Sequence, residues 1–440
     1  MSILSISVLV ILSIVLIIVL TSIVRLNAFL SLFVTALLLA VATLPDRSVV
    51  EILQQGFGST LSSIGFLIIF GAIIAVVLDQ TGGAVSIATS ILRKTGAHKA
   101  APAIGITGFV TGLPIFCDSG YIILSGLSGS FSAKGKVALP LIAFVLATSL
   151  YSVHCLVPTH PGALAASGIM NANLGYLILL GTLFAIPATL TAYWWIRWRT
   201  GRQLMQEPMV PATPDERELP PVCLALLPVL TPILLIAVRS LLTIFDAGDA
   251  NMITRVLSFI GQPVMALFTG VVLSFPLLGK PSVDKLNQLL ESALQKAGPI
   301  LIVTAAGGML GMVIKETGVG AYAGSLLLHT GIGLAVPFLI AFLMKTAQGS
   351  STVAIITAAS LVVPMLPSLG LDSENGKLLA MLAMGGGSMM VSHANDSYFW
   401  VVSRFSGVNV DTTLRIYSSA TVVMGVTVFL LVWISSFLML

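Results

Sequence analysis

The sequence predicts an all-α integral membrane protein made of two inverted-topology repeats, each with five membrane spans, a re-entrant hairpin and a broken helix. Hydrophobic residues make up 57% of the 440 residues and charged residues only 9%. About a quarter of the residues are charged in soluble domains. The apolar runs are long and do not alternate with polar residues, which predicts helices rather than barrel strands.

A weak internal repeat is the third observation behind this fold class. Two polar interruptions occur in each half of the chain, at residues 114–120 and 157–162 and again at residues 345–352 and 392–396. The two sets are offset by about 235 residues, and repeats with paired interruptions are typical of secondary transporters. The shared order and spacing therefore predicts a transporter.

Several other classes of function are excluded by composition and motifs. The three cysteines are odd in number and lie in apolar surroundings, which argues against a disulfide framework. The sequence contains no Walker loop, no His-Glu-x-x-His motif, no Gly-x-Ser-x-Gly motif and no cysteine pair at zinc spacing. We therefore expect no enzyme activity, no cofactor and no metal. The net charge of +4 comes from basic residues beside apolar spans, so nucleic acid is not an expected partner.

The first repeat is predicted to occupy residues 1–200. Its expected elements are three spans, a hairpin, a broken span and a final span, at residues 2–24, 26–44, 60–78, 101–131, 137–170 and 174–198. The two apolar arms of the hairpin are too short to cross a hydrocarbon core of about 30 Å, so the segment is expected to enter and return. Its tip is placed at Pro114 to Gly120. Pro158 and Pro161 remove backbone donors and break the next span.

The second repeat is predicted to occupy residues 222–440, after a cytoplasmic linker at residues 201–221 that is rich in proline and charge. The expected elements follow the same order, at residues 222–244, 256–278, 298–314, 334–364, 377–404 and 411–438. An odd number of crossings in the first half places the second half upside down relative to the first.

The distribution of basic residues gives the orientation of this arrangement. With the hairpins counted as returning segments, fifteen lysines and arginines lie on the side of the linker and five on the other, with Lys345 in a hairpin tip. Positively charged loops face the cytoplasm. The linker is therefore expected to be cytoplasmic and both termini are expected to lie outside.

In the first half, the candidate substrate-binding residues are Asp118, Ser119, Gly120, Thr159 and His160. The three tip residues precede the second hairpin arm, so Asp118 is expected at an N-cap, with the positive end of the helix dipole facing a cavity. Such a site suits a carboxylate substrate. A purely structural cap is the alternative role for Asp118, because acids inside spans are either functional or paired.

In the second half, the candidate binding residues share hydroxyl, amide or glycine character: Gln348, Gly349, Ser350, Ser351, Thr352 and Asn395. Their side chains and free backbone amides suit a polyol or an anion, although hydroxyl bonding between helices is the alternative. Lys345 is a candidate counter-charge for a bound anion. The sequence equally allows it to pair with Asp118 or with Asp396.

Transport without a nucleotide site requires an ion gradient, and four titratable residues lie at the interruptions: Asp118, His160, His393 and Asp396. They are the candidates for proton coupling, and Asp396 beside His393 is expected to belong to the proton path. Sodium, bound by carbonyls and hydroxyls at the tips, is the less favoured coupling ion. His154, inside a helical arm, is expected to be a satisfied interior residue.

Three phrases of the sequence resemble the gluconate permease (GntP) family of bacterial sugar-acid transporters. They are residues 112–118 (Gly-Leu-Pro-Ile-Phe-Cys-Asp), 154–162 (His-Cys-Leu-Val-Pro-Thr-His-Pro-Gly) and 392–400 (Ser-His-Ala-Asn-Asp-Ser-Tyr-Phe-Trp). The resemblance covers nearly the whole chain.

This resemblance implies a proton-coupled importer of gluconate or a related hydroxy acid in the bacterial inner membrane. It also implies the ion-transporter superfamily fold, in which a substrate domain moves against a scaffold, and a homodimer surrounded by membrane lipid. Gluconate permeases tend to have Phe-Phe-Asp and an apolar residue where this chain has Phe116-Cys117-Asp118-Ser119. The alternative substrates are therefore D-serine or another small hydroxy acid, and a sodium-coupled carboxylate transporter is a further alternative. A channel and a membrane-embedded enzyme are the alternative classes of protein.

Overall fold

A computed structural model describes residues 3–95, 100–135, 137–201, 219–244, 251–279, 281–318, 333–393 and 396–440. These residues form helices and connecting turns, with no strand among them. Five of the described helices are long and apolar enough to cross a membrane, or seven if each of two bent pairs counts as one span. The predicted all-α membrane architecture is confirmed.

The first half contains nine helices within the described residues. They are α1 Ile3–Ile18, α2 Ala28–Thr43, α3 Val49–Gln80, α4 Gly83–Thr95, α5 Ala100–Gly112, α6 Cys117–Gly135, α7 Leu139–Leu156, α8 Pro161–Met170 and α9 Leu174–Thr200. A single π-helical segment, Val19–Ile23, extends α1. The helices α5 and α6 flank the predicted tip of the first hairpin, and α7 and α8 flank the predicted break at residues 157–162. The re-entrant course of the hairpin stays a prediction.

The second half contains nine more among the described residues. They are α10 Val222–Ile244, α11 Met252–Ile260, α12 Pro263–Ser274, α13 Val283–Thr317, α14 Ala335–Gln348, α15 Ser351–Val362, α16 Glu374–Ser388, α17 Ser397–Ser406 and α18 Val410–Met439. Here α14 and α15 flank the predicted tip of the second hairpin, and α16 and α17 flank the second predicted break.

One predicted span has a different shape. The sequence places a single span at residues 256–278, whereas the helix bends by 77° between α11 and α12. The bend follows from Pro263, which begins α12, and from Gly261, whose backbone lies against Leu235. The short α11 exposes its apolar side chains, and α11 and α12 together still satisfy the length and apolarity of one bent span.

The two halves meet along their longest helices. A Cβ atom on Gly56 of α3 would lie 2.6 Å from the carbonyl oxygen of Gly308 on α13, and the reverse contact is equally close. Only glycine permits this approach of two backbones. An ion pair joins Asp79 to Lys296 at 3.3 Å, and another joins Arg47 to Glu316 at 3.6 Å. The first ion pair joins the C-terminal end of α3 to the middle part of α13, and the second joins the turn before α3 to the C-terminal end of α13.

The helix contacts of one half recur in the other. Helix α7 packs between α5 and α9, as α16 packs between α14 and α18. Helix α8 lies against α15, as α17 lies against α6. Both central helices, α7 and α16, are buried along most of their length. The domain boundaries and the inverted relation of the halves stay predictions.

Candidate functional site

Four helices begin at one cavity in the middle of the molecule. The cavity has a volume of about 260 Å³ and is lined by the first residues of α6, α8, α15 and α17, with one wall from α13. The first turn of a helix leaves backbone N–H groups without helical partners and carries partial positive charge. The arrangement therefore suits a negatively charged ligand with several hydrogen-bond acceptors.

The first hairpin tip supplies an acidic residue to this cavity. The backbone N–H of Gly120 donates to the Phe116 carbonyl at 2.8 Å, so the helical hydrogen bonds of α6 already begin at Phe116. Asp118 therefore lies inside the first turn, and the predicted N-cap position is wrong. It lines the cavity, its buried Oδ1 atom has no hydrogen-bond partner, and none of the ion pairs among the described residues includes it.

The second hairpin tip contains a fully buried ion pair. Lys345 Nζ donates to Asp396 Oδ2 at 2.6 Å and to the Gly349 carbonyl at 2.6 Å. The Lys345 side chain is 0% exposed and that of Asp396 4%. Of the three partners that the sequence allows for Lys345, the structure has Asp396, which joins the hairpin to the start of α17.

Asp396 has further donors that hold its carboxylate. Ser392 Oγ donates to Asp396 Oδ2 at 2.5 Å, and the backbone N–H of Tyr398 donates to Oδ1 at 3.0 Å. Ser418 in turn donates to the Ser392 carbonyl. With Lys345 as well, both carboxylate oxygens are hydrogen-bonded, as a buried charge requires.

The hydroxyls of the second tip lie at the start of α15. Gly349 ends α14 with a φ of +79°, which favours glycine, and the Ser350 side chain caps α15 by accepting from Val353. Ser351 and Thr352 line the cavity. The side chain of Gln348 and the whole of Asn395 lie outside the described parts of the chain.

The two histidines of the first broken span have unexpected surroundings. His160 is 2% exposed, and its ring Nε2 lies 2.6 Å from the Gly112 carbonyl, so it ties α8 to the first hairpin. His154 lines the cavity, with Nε2 3.3 Å from Thr352 Oγ1 and a buried Nδ1 that has no partner. The expectation that His154 is satisfied is therefore wrong. Its position in the last turn before the break was the signal available in the sequence.

The remaining candidates lie around the cavity rather than on its wall. Thr159 lines two smaller neighbouring cavities, and Ser119 and Gly120 are in the first turn of α6. The backbone carbonyl of His393 accepts from Asp396 N–H at 2.8 Å. Tyr398, which the sequence did not single out, lines the cavity and stacks on Tyr151 with ring centroids 5.4 Å apart. Within the described residues, no cluster of histidine, cysteine and acidic side chains could hold a metal ion.

Comparison with known proteins identifies the family to which this geometry belongs. The family model of the GntP family permeases matches residues 4–438. The chain belongs to the GntP permease family. Its members are permeases and not enzymes, and the chain is a multi-pass protein of the inner membrane.

Individual relatives agree along nearly the whole chain. An uncharacterized permease of Haemophilus influenzae is 31% identical, covering 88% of this chain and 82% of its own length. The high-affinity gluconate transporter of Escherichia coli is 29% identical, covering 91% and 92%. The L-idonate transporter of the same organism is 27% identical, covering 90% of each chain.

A solved structure has the same fold. The YdaH transporter of Alcanivorax borkumensis superposes with a TM-score of 0.66 at 16% sequence identity, covering 93% of this chain and 98% of its own. Its structure is described as having an unusual topology. The likeness concerns the fold alone.

Proposed function

We propose that this GntP family permease imports a sugar-acid anion such as gluconate together with a proton, and that the cavity between the four helix starts is the binding site. Gluconate and idonate transporters are among its relatives. The position of Asp118 is the observation that supports proton coupling: its carboxylate faces a cavity suited to anions and has no ionic partner among the described residues.

Repulsion between the Asp118 carboxylate and the substrate anion links substrate binding to protonation of Asp118. Two unit charges 4 Å apart repel each other by about 4 kcal/mol at an effective dielectric constant of 20. An anion in the cavity therefore binds far better when Asp118 is protonated. The proton neutralises the repulsion on entry and leaves with the substrate, so binding and proton transfer are linked. Inward movement of one negative charge against 100 mV costs about 2.3 kcal/mol, which a proton offsets.

The polar groups divide naturally between the two ends of a sugar acid. The first turns of α6 and α8 offer backbone N–H groups to the carboxylate. Ser351, Thr352 and Ser397 line the other part of the cavity and suit the hydroxyl groups. Because Lys345 is held by Asp396, it acts through the position of the second tip rather than as a direct counter-charge.

An amino hydroxy acid such as D-serine is the second candidate substrate, and the same observation favours it. The unpaired Asp118 carboxylate would bind the ammonium group of the substrate, and the helix N-termini around the cavity would bind the substrate carboxylate. In that case Asp118 stays ionised. The two candidates therefore require opposite protonation states of one residue.

Asp118→Asn distinguishes these candidates, because asparagine imitates the neutral carboxyl group. Purified protein in proteoliposomes would be assayed for binding, exchange and accumulation of gluconate and D-serine under an imposed pH gradient. For a sugar acid, the variant should bind and exchange gluconate at every pH but fail to accumulate it. For an amino acid, the variant should lose D-serine binding. Asp411→Asn, which changes an exposed acid on α18, is the matched control.

Accumulation of gluconate by Asp118→Asn equal to that of the parent would contradict proton coupling at this residue. Accumulation driven by a sodium gradient at matched pH would contradict proton coupling altogether. His160, His393 and Asp396 stay candidates for the rest of the proton path.

We further propose that the halves are inverted, with both termini periplasmic and the linker cytoplasmic, and that the protein is a homodimer. The recurrence of helix contacts between the halves supports the first point. Cysteines placed at Ser2 and Leu440 in a chain without its native cysteines should react with an impermeant maleimide in intact spheroplasts. Reaction of a cysteine at Thr213 in the same cells would contradict this orientation.

A further inference from the structure

A second cavity lies on the outer side of the first half. It has a volume of about 570 Å³ and runs between α5, the outer arm of the first hairpin, and α9, with Val145 of α7 at its floor. Its walls include Ile106 and Leu190, which are 49% and 52% exposed. Two lining residues carry hydroxyls: Thr189 Oγ1 is hydrogen-bonded to Ser152 at 2.7 Å, and the Tyr193 hydroxyl accepts from Arg197 at 3.1 Å. The lining is otherwise apolar along the groove, so an apolar ligand leaves neither hydroxyl without a hydrogen-bond partner.

The corresponding place in the second half is filled. There the outer hairpin arm is α14 and the last helix is α18, and the rings of Phe338 and Phe429 meet between them with centroids 4.7 Å apart. The architecture thus does not require an open groove at this position. In a bilayer, an open apolar groove is filled by the surrounding hydrocarbon.

One end of the groove carries a cation and aromatic rings. Tyr193 and Trp194 line the groove, Arg197 donates to the Tyr193 hydroxyl at 3.1 Å, and its guanidinium lies 5.7 Å from the centroid of the Trp194 ring. Arg197 is in the last turn of α9, and aromatic residues with arginine at a helix end are typical of the lipid headgroup region. A guanidinium has five donors, so most of them remain for a phosphate.

We propose that this groove binds one anionic phospholipid, with an acyl chain between α5 and α9 and the phosphate at Arg197. The apolar lining accounts for the chain, and Arg197 at the groove mouth accounts for the preference for negative charge. Since α5 leads to the tip that carries Asp118, the lipid supports one arm of the hairpin from the membrane side.

Tryptophan fluorescence tests this proposal, because bromine atoms on an acyl chain quench a tryptophan that they contact. Detergent-purified protein would be titrated with phosphatidylglycerol or phosphatidylcholine carrying dibrominated acyl chains. The signal of Trp194 is the difference between the parent and Trp194→Phe. Phosphatidylglycerol should quench this signal at a several-fold lower concentration than phosphatidylcholine. Arg197→Gln should abolish the preference.

Matched variants separate this site from general lipid contact. Arg199→Gln removes a neighbouring cation that lies over Trp195 and Trp198 instead, and should keep the preference. Ile106→Phe narrows the groove and should reduce the quenching by both lipids. Equal quenching by the two lipids in the parent would mean unselective lipid contact and would overturn the proposal. Absence of any quenching, as expected if a second copy of the chain covers the groove, would overturn it as well.

Discussion

The two hairpin tips differ in how their charged side chains are neutralised. In the second tip, Lys345 is buried against Asp396 and the Gly349 carbonyl, and Ser350 caps the following helix. In the first tip, Asp118 reaches the cavity from an uncapped first turn, with Oδ1 unpartnered. A paired charge is stable in one state, whereas an unpaired carboxylate in a cavity responds to protons and ligands. We interpret the second tip as the rigid side of the site and the first as the responsive side.

The largest expected effect is the loss of one partner from the buried ion pair. Lys345→Met leaves the Asp396 carboxylate buried without its counter-charge and should destabilise the protein by about 3 to 5 kcal/mol. Thermal unfolding of the purified protein would measure this. The double variant Lys345→Met/Asp396→Leu should recover most of the loss, because it leaves no isolated charge.

Asp396→Asn gives a direct test of the alternative role in the proton path. If the ion pair is structural, this variant should unfold at lower temperature and lose both exchange and accumulation. A stable Asp396→Asn protein that exchanges substrate but does not accumulate it would show that the second tip, and not only the first, carries protons.

A smaller effect is expected where α8 lies against the second tip. A Cβ atom on Gly162 would lie 2.9 Å from the Thr352 backbone, whereas one on Gly120 of the first tip would meet the flexible Leu150 side chain at 3.1 Å. Gly162→Ala should therefore cost about 1 to 3 kcal/mol. It should also weaken substrate binding, measured by calorimetry. Gly120→Ala is the control, and an equal effect there would contradict the assignment of a rigid second tip.

Loss of the cap gives the next smaller effect. Ser350→Ala removes the side-chain acceptor of the Val353 N–H and should lower stability by about 1 kcal/mol. Ser119→Ala, in the first turn of α6, should change the unfolding temperature much less. A larger change for Ser119→Ala would mean that the first tip is the more tightly built of the two.

The smallest change in stability is expected for Asp118→Asn, since no ion pair among the described residues is lost. Its effect on transport is nevertheless large. A gradient of one pH unit supplies about 1.4 kcal/mol per proton, or about tenfold accumulation, which the variant should lose. Strong destabilisation by Asp118→Asn would show that Asp118 has a structural partner and would remove the contrast between the tips.

Local sequence determined the helical elements to a large extent. Hydropathy placed the apolar helices, whereas the re-entrant course of each hairpin stays a prediction, because α6 has 19 residues and not the short arm that the sequence suggested. Prolines and glycines then located the breaks: α8 begins at Pro161, and Gly349 ends α14 in the left-handed conformation. The bend of 77° within the span expected at residues 256–278 was not predicted, because hydropathy does not detect a bend.

Contacts between distant segments were decided only by the tertiary structure. Lys345 and Asp396 are 51 positions apart, and Lys345 had Asp118 and a bound anion as alternatives with equal chemical merit. His154 lines the cavity although it was expected to be a satisfied interior residue, and His160 is buried against the Gly112 carbonyl although it was expected to bind substrate. The helix break between them separates the surroundings of two side chains that are only six positions apart. Hydropathy and backbone stereochemistry act over a few neighbouring residues, whereas the partner of a buried charge depends on which helices pack together. The sequence alone therefore determined which polar groups interrupt the apolar segments, and the packing of the helices decided which of them are neutralised.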